Sequence, residues 1–320
     1  ALVGMRPVAE IMFADFIGVC MDQIVNQMGK FRYMFGGKSK CPAVIRFAAG
    51  GGFSAAGQHS QAMYQVMTSF PGLKVVIPSN AYDAKGLLLQ AIQEDDPVLF
   101  FEPKALYQEA CEVPDEMYTI PFGEAAFVRE GDDVTVVAFG QMGPRAAAAI
   151  DALEAEGISC DLIDPRTSSP LDEGAILESV EATGRLVVVD EAPPRCGLTS
   201  DIAGLAASKA FHSLKAPVQQ VSAPHSPTPF SPELEAAYLP DVEKITAAIK
   251  PAVAEIMDRD RDVTVHDQFR DDPPDHRGQT EAMSAETGRK DKARHFLDQS
   301  QYRDSVRHLR YEPRPHADHM

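Results

Sequence analysis

Short apolar runs alternate with amphipathic segments along the chain, and this alternation restricts the fold more than any other feature of the sequence. The run Leu186-Val-Val-Val189 is apolar at every position, which is typical of a strand inside a parallel sheet covered on both faces. Strands are predicted over residues 43–47, 74–77, 97–101, 134–139, 160–163, 186–189 and 218–221. Helices are predicted over residues 81–93, 144–156, 173–184, 198–211 and 242–249, with another starting at 231. The alternation predicts an α/β fold of two doubly wound domains with mainly parallel sheets.

Two further helices are predicted in the first part of the chain. Between Arg6 and Lys30, apolar residues recur at spacings of three and four, and Pro7 suits a first helical turn. This helix would carry Phe13 and Phe16, whose rings could stack on a flat ligand or simply belong to the core. A second helix is predicted to open at His59, after the glycine-rich loop 50–57, and to run to about residue 70.

The charge of the chain argues against nucleic acid as a partner. The formal net charge is −17, and residues 1–250 hold 18 basic and 32 acidic side chains, whereas nucleic-acid binding requires basic patches. Residues 251–320 hold 12 basic and 15 acidic side chains and few apolar ones. The acidic surface would suit a basic protein partner, or it only keeps the protein in solution.

The five cysteines and the lengths of the apolar runs indicate the cellular compartment that the protein is expected to occupy. The cysteines are scattered without the spacing of a disulfide framework or a zinc site, which predicts free thiols in a reducing cytoplasm. No run of about 18 apolar residues occurs and the first residues lack a signal-peptide layout, so no membrane association is expected. We predict domains over residues 1–110 and 111–250, and a charged, flexible tail over 251–320 with a helix near 289–310.

His59 is the outstanding candidate for chemistry. It follows a glycine-rich loop downstream of a buried strand, and ligands of open parallel sheets bind beyond the carboxyl ends of the strands. An imidazole can act as an acid, a base or a hydrogen-bond donor near neutral pH. The alternative is a histidine with a structural hydrogen bond. The loop itself is neither a dinucleotide-binding GxGxxG nor a P-loop.

A series of motifs, in the same order along the chain, resembles the β subunits of 2-oxo acid dehydrogenases and acetoin dehydrogenase. The resemblance runs from the start to about residue 250. The first of the motifs are Arg6-Pro-Val-Ala-Glu-Ile-Met12, Met21-Asp-Gln-Ile-Val-Asn26, Arg32-Tyr-Met34 and Gly57-Gln-His-Ser-Gln61. The others are Pro71-Gly-Leu-Lys-Val-Val-Ile-Pro78, Asp83-Ala-Lys-Gly86, Phe100-Phe-Glu-Pro-Lys104 and Asp164-Pro-Arg-Thr167.

The resemblance implies a transketolase-like architecture, with a thiamine-diphosphate pyrimidine-binding domain followed by a transketolase C-terminal domain. Two α and two β subunits share thiamine diphosphate, the α subunit holding the diphosphate and Mg²⁺ and the β subunit the aminopyrimidine. His59 matches the family's active-site histidine, which assists reductive acylation of a lipoyl group on the acyltransferase component. Phe16 matches the aromatic residue packed on the aminopyrimidine.

The resemblance also implies a structural potassium ion, as in some members of the family. Backbone carbonyl oxygens hold it there, so the side chains carry little trace of the site. The matching positions are Ala43, Ala91, Ile92, Glu94 and Asp96.

One departure bears on activity. Members of the family have a further segment before the Arg-Pro motif, which carries the glutamate that protonates the cofactor's aminopyrimidine, and no residue here matches that glutamate. The alternative to an active subunit is therefore a truncated one that acts only in complex assembly. A single-chain relative such as a deoxyxylulose-phosphate synthase is disfavoured, because the chain has no GDG…N motif. Residues 33–38 and 227–232 look closer to acetoin- and pyruvate-type subunits than to branched-chain ones.

Overall fold

A computed structural model describes residues 1–254 of the chain, and these form two five-stranded sheets covered by helices. The strands are Val8–Ile11 (β1), Val44–Ala49 (β2), Lys74–Val76 (β3), Val98–Pro103 (β4), Ala126–Arg129 (β5), Val134–Ala138 (β6), Cys160–Asp164 (β7), Thr167–Ser169 (β8), Leu186–Val189 (β9) and Gln219–Val221 (β10). The helices are Phe31–Met34 (α1), Tyr64–Thr68 (α2), Ala81–Gln93 (α3), Met142–Glu154 (α4), Glu173–Thr183 (α5), Leu198–Lys209 (α6), Pro232–Tyr238 (α7) and Val242–Val253 (α8).

The first sheet has the order β1-β2-β4-β3-β8 and is parallel except for β8, which runs antiparallel to β3. β2 and β4 pair from Val44 opposite Val98 to Ala49 opposite Pro103. The rings of Phe47 and Phe101 stack 4.7 Å apart on one face of this pair. Because the neighbouring apolar strands are buried on both faces, they read in the sequence as continuous apolar runs.

The second sheet has the order β10-β9-β6-β7-β5 and is parallel except for β5, which pairs antiparallel with β7. β6 and β9 are buried at every residue. The two mainly parallel sheets confirm the predicted α/β class. β5 and β8 were not predicted, since β5 is partly exposed and β8 is the short polar sequence Thr-Ser-Ser.

The predicted helix between Arg6 and Lys30 is wrong at its start. Val8–Ile11 is the edge strand β1, which pairs with β2. Just before it, the carbonyl oxygen of Pro7 accepts a hydrogen bond of 3.0 Å from Val44 N. The following turns are irregular, a 3₁₀ helix at Ala14–Cys20 and a π-helix at Asp22–Met28. The spacings of three and four residues indicated the helical turns that follow, but not the strand. Pairing with a strand distant in sequence decides the conformation of residues 8–11.

The second domain was predicted to end at residue 250, but helix α8 continues to Val253. The predicted tail, with its helix near 289–310, otherwise lies outside the described residues. Within residues 1–254, no helix is both long and apolar enough to cross a membrane.

Polar contacts between residues far apart in sequence tie the two sheets together. Strand β8 belongs by sequence to the second half of the chain but completes the first sheet. Next to it, Arg166 donates to the buried carboxylate of Asp83 at 2.7 Å, and Ser79 Oγ donates to Asp164. Contacts of this kind hold the carboxyl ends of strands from both sheets near each other.

Candidate active site

The glycine loop, residues 50–59, lies where strand ends of both sheets meet. It follows directly on β2, and Lys104 follows on the neighbouring strand β4. From the second sheet, Gln141 comes shortly after β6 and Glu191 shortly after β9. The site is therefore built from loops beyond the carboxyl ends of parallel strands, where open α/β sheets bind their ligands.

Two buried carboxylates of the second half of the chain bind the amides of the glycine loop. Glu191 Oε2 accepts from Gly51 N at 2.8 Å and from the side chain of Gln141 at 2.7 Å. Glu235 on α7, only 3% exposed, accepts from Gly52 N at 2.9 Å and from Ser54 N at 2.7 Å. The backbone of the loop lies in the left-handed region at several positions, among them Gly50 and Ser54. The hydrogen bonds offset the energetic cost of this conformation.

His59 does not open a helix as the sequence predicted. It lies in a turn, with its backbone N donating to Ala56 O at 3.3 Å, and helix α2 begins only at Tyr64. Met63 has a φ of +56°, so the helix cannot extend backwards through it. Gly50 N donates to Gln61 O at 3.2 Å, which closes the loop behind the histidine.

Three aromatic rings form a cluster that brings the two predicted site residues together. The His59 ring lies 4.7 Å from the ring of Phe13 and 5.4 Å from that of Phe16, each in an edge-to-face arrangement. Phe16 lies in the 3₁₀ helix and is 36% exposed, while Phe13 directly precedes that helix. Among the described residues, neither nitrogen of the half-buried imidazole is hydrogen-bonded to protein. The imidazole is therefore held by its ring faces and keeps both nitrogens for a ligand.

The cluster fits the aminopyrimidine of thiamine diphosphate in two respects. The exposed ring of Phe16 offers an apolar surface for a flat heterocycle, with the free imidazole beside it. Close by, Asp15 Oδ2 and Ser60 Oγ are buried without a hydrogen-bond partner among the described residues. A cavity of about 350 Å³ is lined by Ser60 and Gln61, but Phe16 and His59 do not line it. Glu10 lies apart from this group, exposed on the edge strand β1.

Burial raises the pKa of two adjacent carboxyl groups beside the loop. The pKa of Glu191 is raised to about 7, mainly by burial and further by Asp190, against the hydrogen bonds from Gly51 and Gln141. The pKa of Asp190 is raised to about 6 by burial, although its hydrogen bond from Tyr64 opposes the shift. Near neutral pH, the Glu191 carboxyl group that binds the loop is thus close to its own pKa.

We expect Glu191→Gln to flatten the pH dependence of stability. The folded-state pKa of Glu191, about 7, exceeds its ordinary 4.5, so the fold favours the protonated form. Its stabilising contribution is complete below about pH 4.5 and is lost as the pH rises through about 7. Urea denaturation from pH 4.5 to 8 should show the free energy of unfolding of the wild type falling by about 3 kcal/mol relative to the variant. Parallel curves would show that Glu191 does not titrate in this range.

A Cβ atom at Gly50 would collide with the carboxylate that holds the loop. Gly50 has a φ of +79°, and a Cβ atom on it would overlap Glu191 Oε1. Gly157 is a matched control, because its φ is +83° and nothing lies within 4 Å of its Cβ position. We expect Gly157→Ala to cost about 1 kcal/mol for the backbone conformation alone. Gly50→Ala should cost about 2 kcal/mol more, from overpacking. Equal losses in urea denaturation would contradict the contact.

The five carbonyl positions predicted for potassium lie at one end of the first sheet. They precede β2, end α3 or belong to the turn that leads into β4. Cys41 N donates to Asp95 O at 3.0 Å and joins the two segments. These positions are Ala43, Ala91, Ile92, Glu94 and Asp96.

A guanidinium group occupies part of that position. Arg6 Nη1 donates to Ile92 O at 3.1 Å and to Glu94 O at 2.6 Å, and Arg6 also pairs with Asp95. A potassium ion bound to the same oxygens would adjoin a fixed positive charge. The arrangement does not fit potassium unless Arg6 moves away, and the ion remains a prediction. Elsewhere in residues 1–254, no group of three or more His, Cys, Asp or Glu side chains is arranged to hold a metal.

Sequence reasoning missed the residues that support the loop. Lys104 stands in one of the quoted motifs but gave no sign of its burial. Asp190 and Glu191 follow a fully apolar strand, and an acidic pair at that position is a signal that could have found them. Glu235 lies on a short helix with nothing in its surroundings to distinguish it from a surface glutamate.

Comparison with known families matches both halves of the chain. Residues 1–109 match the pyrimidine binding domain of transketolase, and residues 123–245 match the transketolase C-terminal domain. Among solved structures, a split-gene transketolase described as an inactive β₄ tetramer is similar, with a TM-score of 0.62 and 25% identity over 78% of this chain and 77% of that one. Use of thiamine diphosphate follows from this family.

Curated relatives narrow the family further. The β subunits of acetoin:2,6-dichlorophenolindophenol oxidoreductase are 54% identical in Bacillus subtilis and 56% in Cupriavidus necator. These matches cover 77% and 78% of this chain and 72% and 74% of the relatives. The pyruvate dehydrogenase E1 component β subunit of Bacillus subtilis is 43% identical over 75% of this chain and 74% of that protein. The chain belongs to the transketolase-like family of β subunits of acetoin and 2-oxo acid dehydrogenases.

Proposed function

We propose that the chain is the β subunit of an acetoin-cleaving dehydrogenase, which breaks the carbon–carbon bond of the substrate and passes the acyl group to a lipoyl carrier. The observation that carries the substrate assignment is the difference in identity between the relatives. The two acetoin-type subunits are 54% and 56% identical, against 43% for the pyruvate type and 40% for a 2-oxoisovalerate type. Pyruvate is the second candidate substrate. An assembly-only role is not favoured, because these relatives are subunits of dehydrogenases.

We assign His59 as the proton donor to the lipoyl sulfur when the dithiolane ring opens. The free nitrogens of its imidazole and its half-exposed position beside Phe16 support this role. Donation of a proton lets the sulfur leave as a thiol rather than a thiolate, which lowers the barrier of ring opening. Thiamine diphosphate, when bound, supplies the nucleophile and the electron sink for bond cleavage.

Phe16 would contact the aminopyrimidine. Exposed apolar side chains near Phe16 support a cofactor pocket that is shared with a second polypeptide. Met12 and Val19, close to Phe16 in sequence, are 65% and 90% exposed, an apolar surface that suits a protein interface. We propose an α subunit there, in an α₂β₂ heterotetramer, which would hold the diphosphate and Mg²⁺. The lipoyl-bearing acyltransferase is the proposed second partner. We propose a cytoplasmic location, consistent with five free cysteines.

The substrate is tested by turnover of the chain together with its cognate α subunit, thiamine diphosphate and Mg²⁺. The rate is read from reduction of 2,6-dichlorophenolindophenol with acetoin, pyruvate or 2-oxoisovalerate as substrate. We expect kcat/KM for acetoin to exceed that for pyruvate by about tenfold or more, the discrimination that small apolar differences in a pocket provide. A higher value for pyruvate or 2-oxoisovalerate would reassign the substrate.

A further inference from the structure

We propose that Lys104 is a positioning residue for His59, whose ammonium group joins both ends of the glycine loop and so fixes the imidazole for the lipoyl step. The inference rests on the function proposed for His59. It concerns a residue that touches no ligand and acts through the protein backbone.

The contacts of Lys104 converge on the histidine from two sides. Its Nζ donates to Gly50 O and to His59 O, at the beginning and the end of the loop. The same nitrogen lies 5.5 Å from the ring centroid of Phe13, and that ring packs edge-to-face against the imidazole. The ammonium group of Lys104 thus binds the backbone of His59 and also lies over the Phe13 ring against which the His59 imidazole packs.

Lys104 is only 4% exposed, and a buried ammonium group is costly unless its donors are bound. Burial lowers the pKa of Lys104, while the carboxylates of Glu191, Asp15 and Glu235 oppose that shift. The acidic groups near the loop thus offset part of the cost of burying the ammonium group, whose donors are bound to the carbonyl oxygens of Gly50 and His59. A neutral chain of equal length would fill the same volume but leave both carbonyls without this donor.

Charges of opposite sign hold complementary parts of the same loop. Lys104 binds carbonyl oxygens, whereas Glu191 and Glu235 bind the amides of Gly51, Gly52 and Ser54. The loop contains strained backbone positions that persist only where the surroundings impose them. Loss of the lysine should let the loop relax at its His59 end, while the carboxylates still hold the segment near Gly51.

The test compares two activities of the assembled protein with its α subunit. One is acylation of a free lipoyl domain, which needs His59, and the other is dye-linked substrate cleavage, which does not. We expect Lys104→Met to slow lipoyl acylation about 30-fold, since small misplacements of a reacting group cost up to about 100-fold, and to change the dye-linked rate less than about threefold. Lys209→Met, which removes an exposed lysine paired with Glu173, is the control and should change neither rate.

A double variant separates positioning of His59 from general damage. If Lys104 acts through His59, Lys104→Met should slow a His59→Ala protein no further, because the group it positions is gone. Equal losses in both activities, or a full additional loss in the double variant, would overturn the inference. If His59→Ala alone leaves lipoyl acylation intact, it is the proposed function that fails.

A second variant keeps the test decisive if Lys104→Met does not fold, as judged by circular dichroism and the thermal midpoint. Glu235→Gln removes a charge from the other side of the loop but keeps one oxygen that can accept from Gly52 or Ser54. We expect lipoyl acylation to fall about fivefold with the dye-linked rate retained, and no further fall in the His59→Ala background. An unchanged acylation rate would contradict positioning of His59 by this network.

Discussion

His59→Ala should lower the rate of lipoyl acylation about 100-fold or more while substrate cleavage with an artificial electron acceptor stays within about threefold. A positioned proton donor contributes about 10²–10⁴-fold to the step it serves, and the dye accepts electrons without opening a disulfide ring. The imidazole packs only by its edges and faces against Phe13 and Phe16, so its loss should leave the fold intact. Both rates are measured with the α subunit at saturating substrate.

His212→Ala is the matched control for this experiment. Its exposed imidazole also lies edge-on to a phenylalanine ring, that of Phe211, at 5.6 Å. It belongs to the turn after α6, and both rates should stay at the wild-type value. Equal losses of the two activities in His59→Ala would mean that this histidine serves the cleavage chemistry or the cofactor, and the proton-donor role would be wrong.

Asp83→Ala should lower the free energy of unfolding by about 4 kcal/mol. The carboxylate is 2% exposed and accepts from Arg166 at 2.7 Å and from Asn80 Nδ2 at 2.7 Å. Its removal leaves the guanidinium of Arg166 largely buried without a counter-charge, and breaking a buried pair from one side costs about 3–5 kcal/mol. Arg166 already has a positive φ of 60°, so the contact also holds an unfavourable backbone conformation. Urea denaturation measures the loss.

Asp151→Ala tests the same kind of ion pair at the surface. Asp151 accepts from Arg129 at 3.1 Å, but both side chains are well exposed. We expect a loss below about 1 kcal/mol, because solvent screens the pair and side-chain entropy opposes it. If Asp83→Ala costs no more than Asp151→Ala, the contact between α3 and the segment before β8 does not hold the two sheets together.

The sequence predicted most of the central strands and helices, because their pattern follows local rules. Helix α3 begins after Asn80, whose side chain accepts from Asp83 N, and α5 begins after Asp172, which accepts from Ala175 N. Both capping residues were identified from the sequence alone, as was the glycine that ends α5. Such signals lie within a few residues of the feature they predict.

The errors lie where distant contacts decide the conformation. β1 is a strand because β2 lies beside it, and β8 joins a sheet whose other strands come from the first half of the chain. The glycine loop that leads to His59 is held at Gly51 and Ser54 by Glu191 and Glu235, which lie more than 130 residues away in sequence. No periodicity within residues 50–70 records those partners, so a helix was predicted from His59.

The same distinction applies to the candidate site. His59 was a candidate from its position after the glycine-rich loop, and the family's motifs assigned roles to both His59 and Phe16. The structure places the centroids of their two rings 5.4 Å apart. The charged groups that hold the loop come from three segments, and only their three-dimensional arrangement distinguishes Lys104 or Glu235 from an ordinary surface residue. Their side chains were therefore beyond prediction from spacing or composition.

A titration of this chain into a fixed amount of its α subunit, with acetoin, thiamine diphosphate and Mg²⁺ present, tests most directly whether the two polypeptides share one catalytic site. The rate of dye-linked cleavage should be absent for either polypeptide alone and should rise to saturation at one chain per α subunit. Cleavage by one polypeptide without the other, or no cleavage when both are saturating, would contradict a catalytic site shared between two subunits.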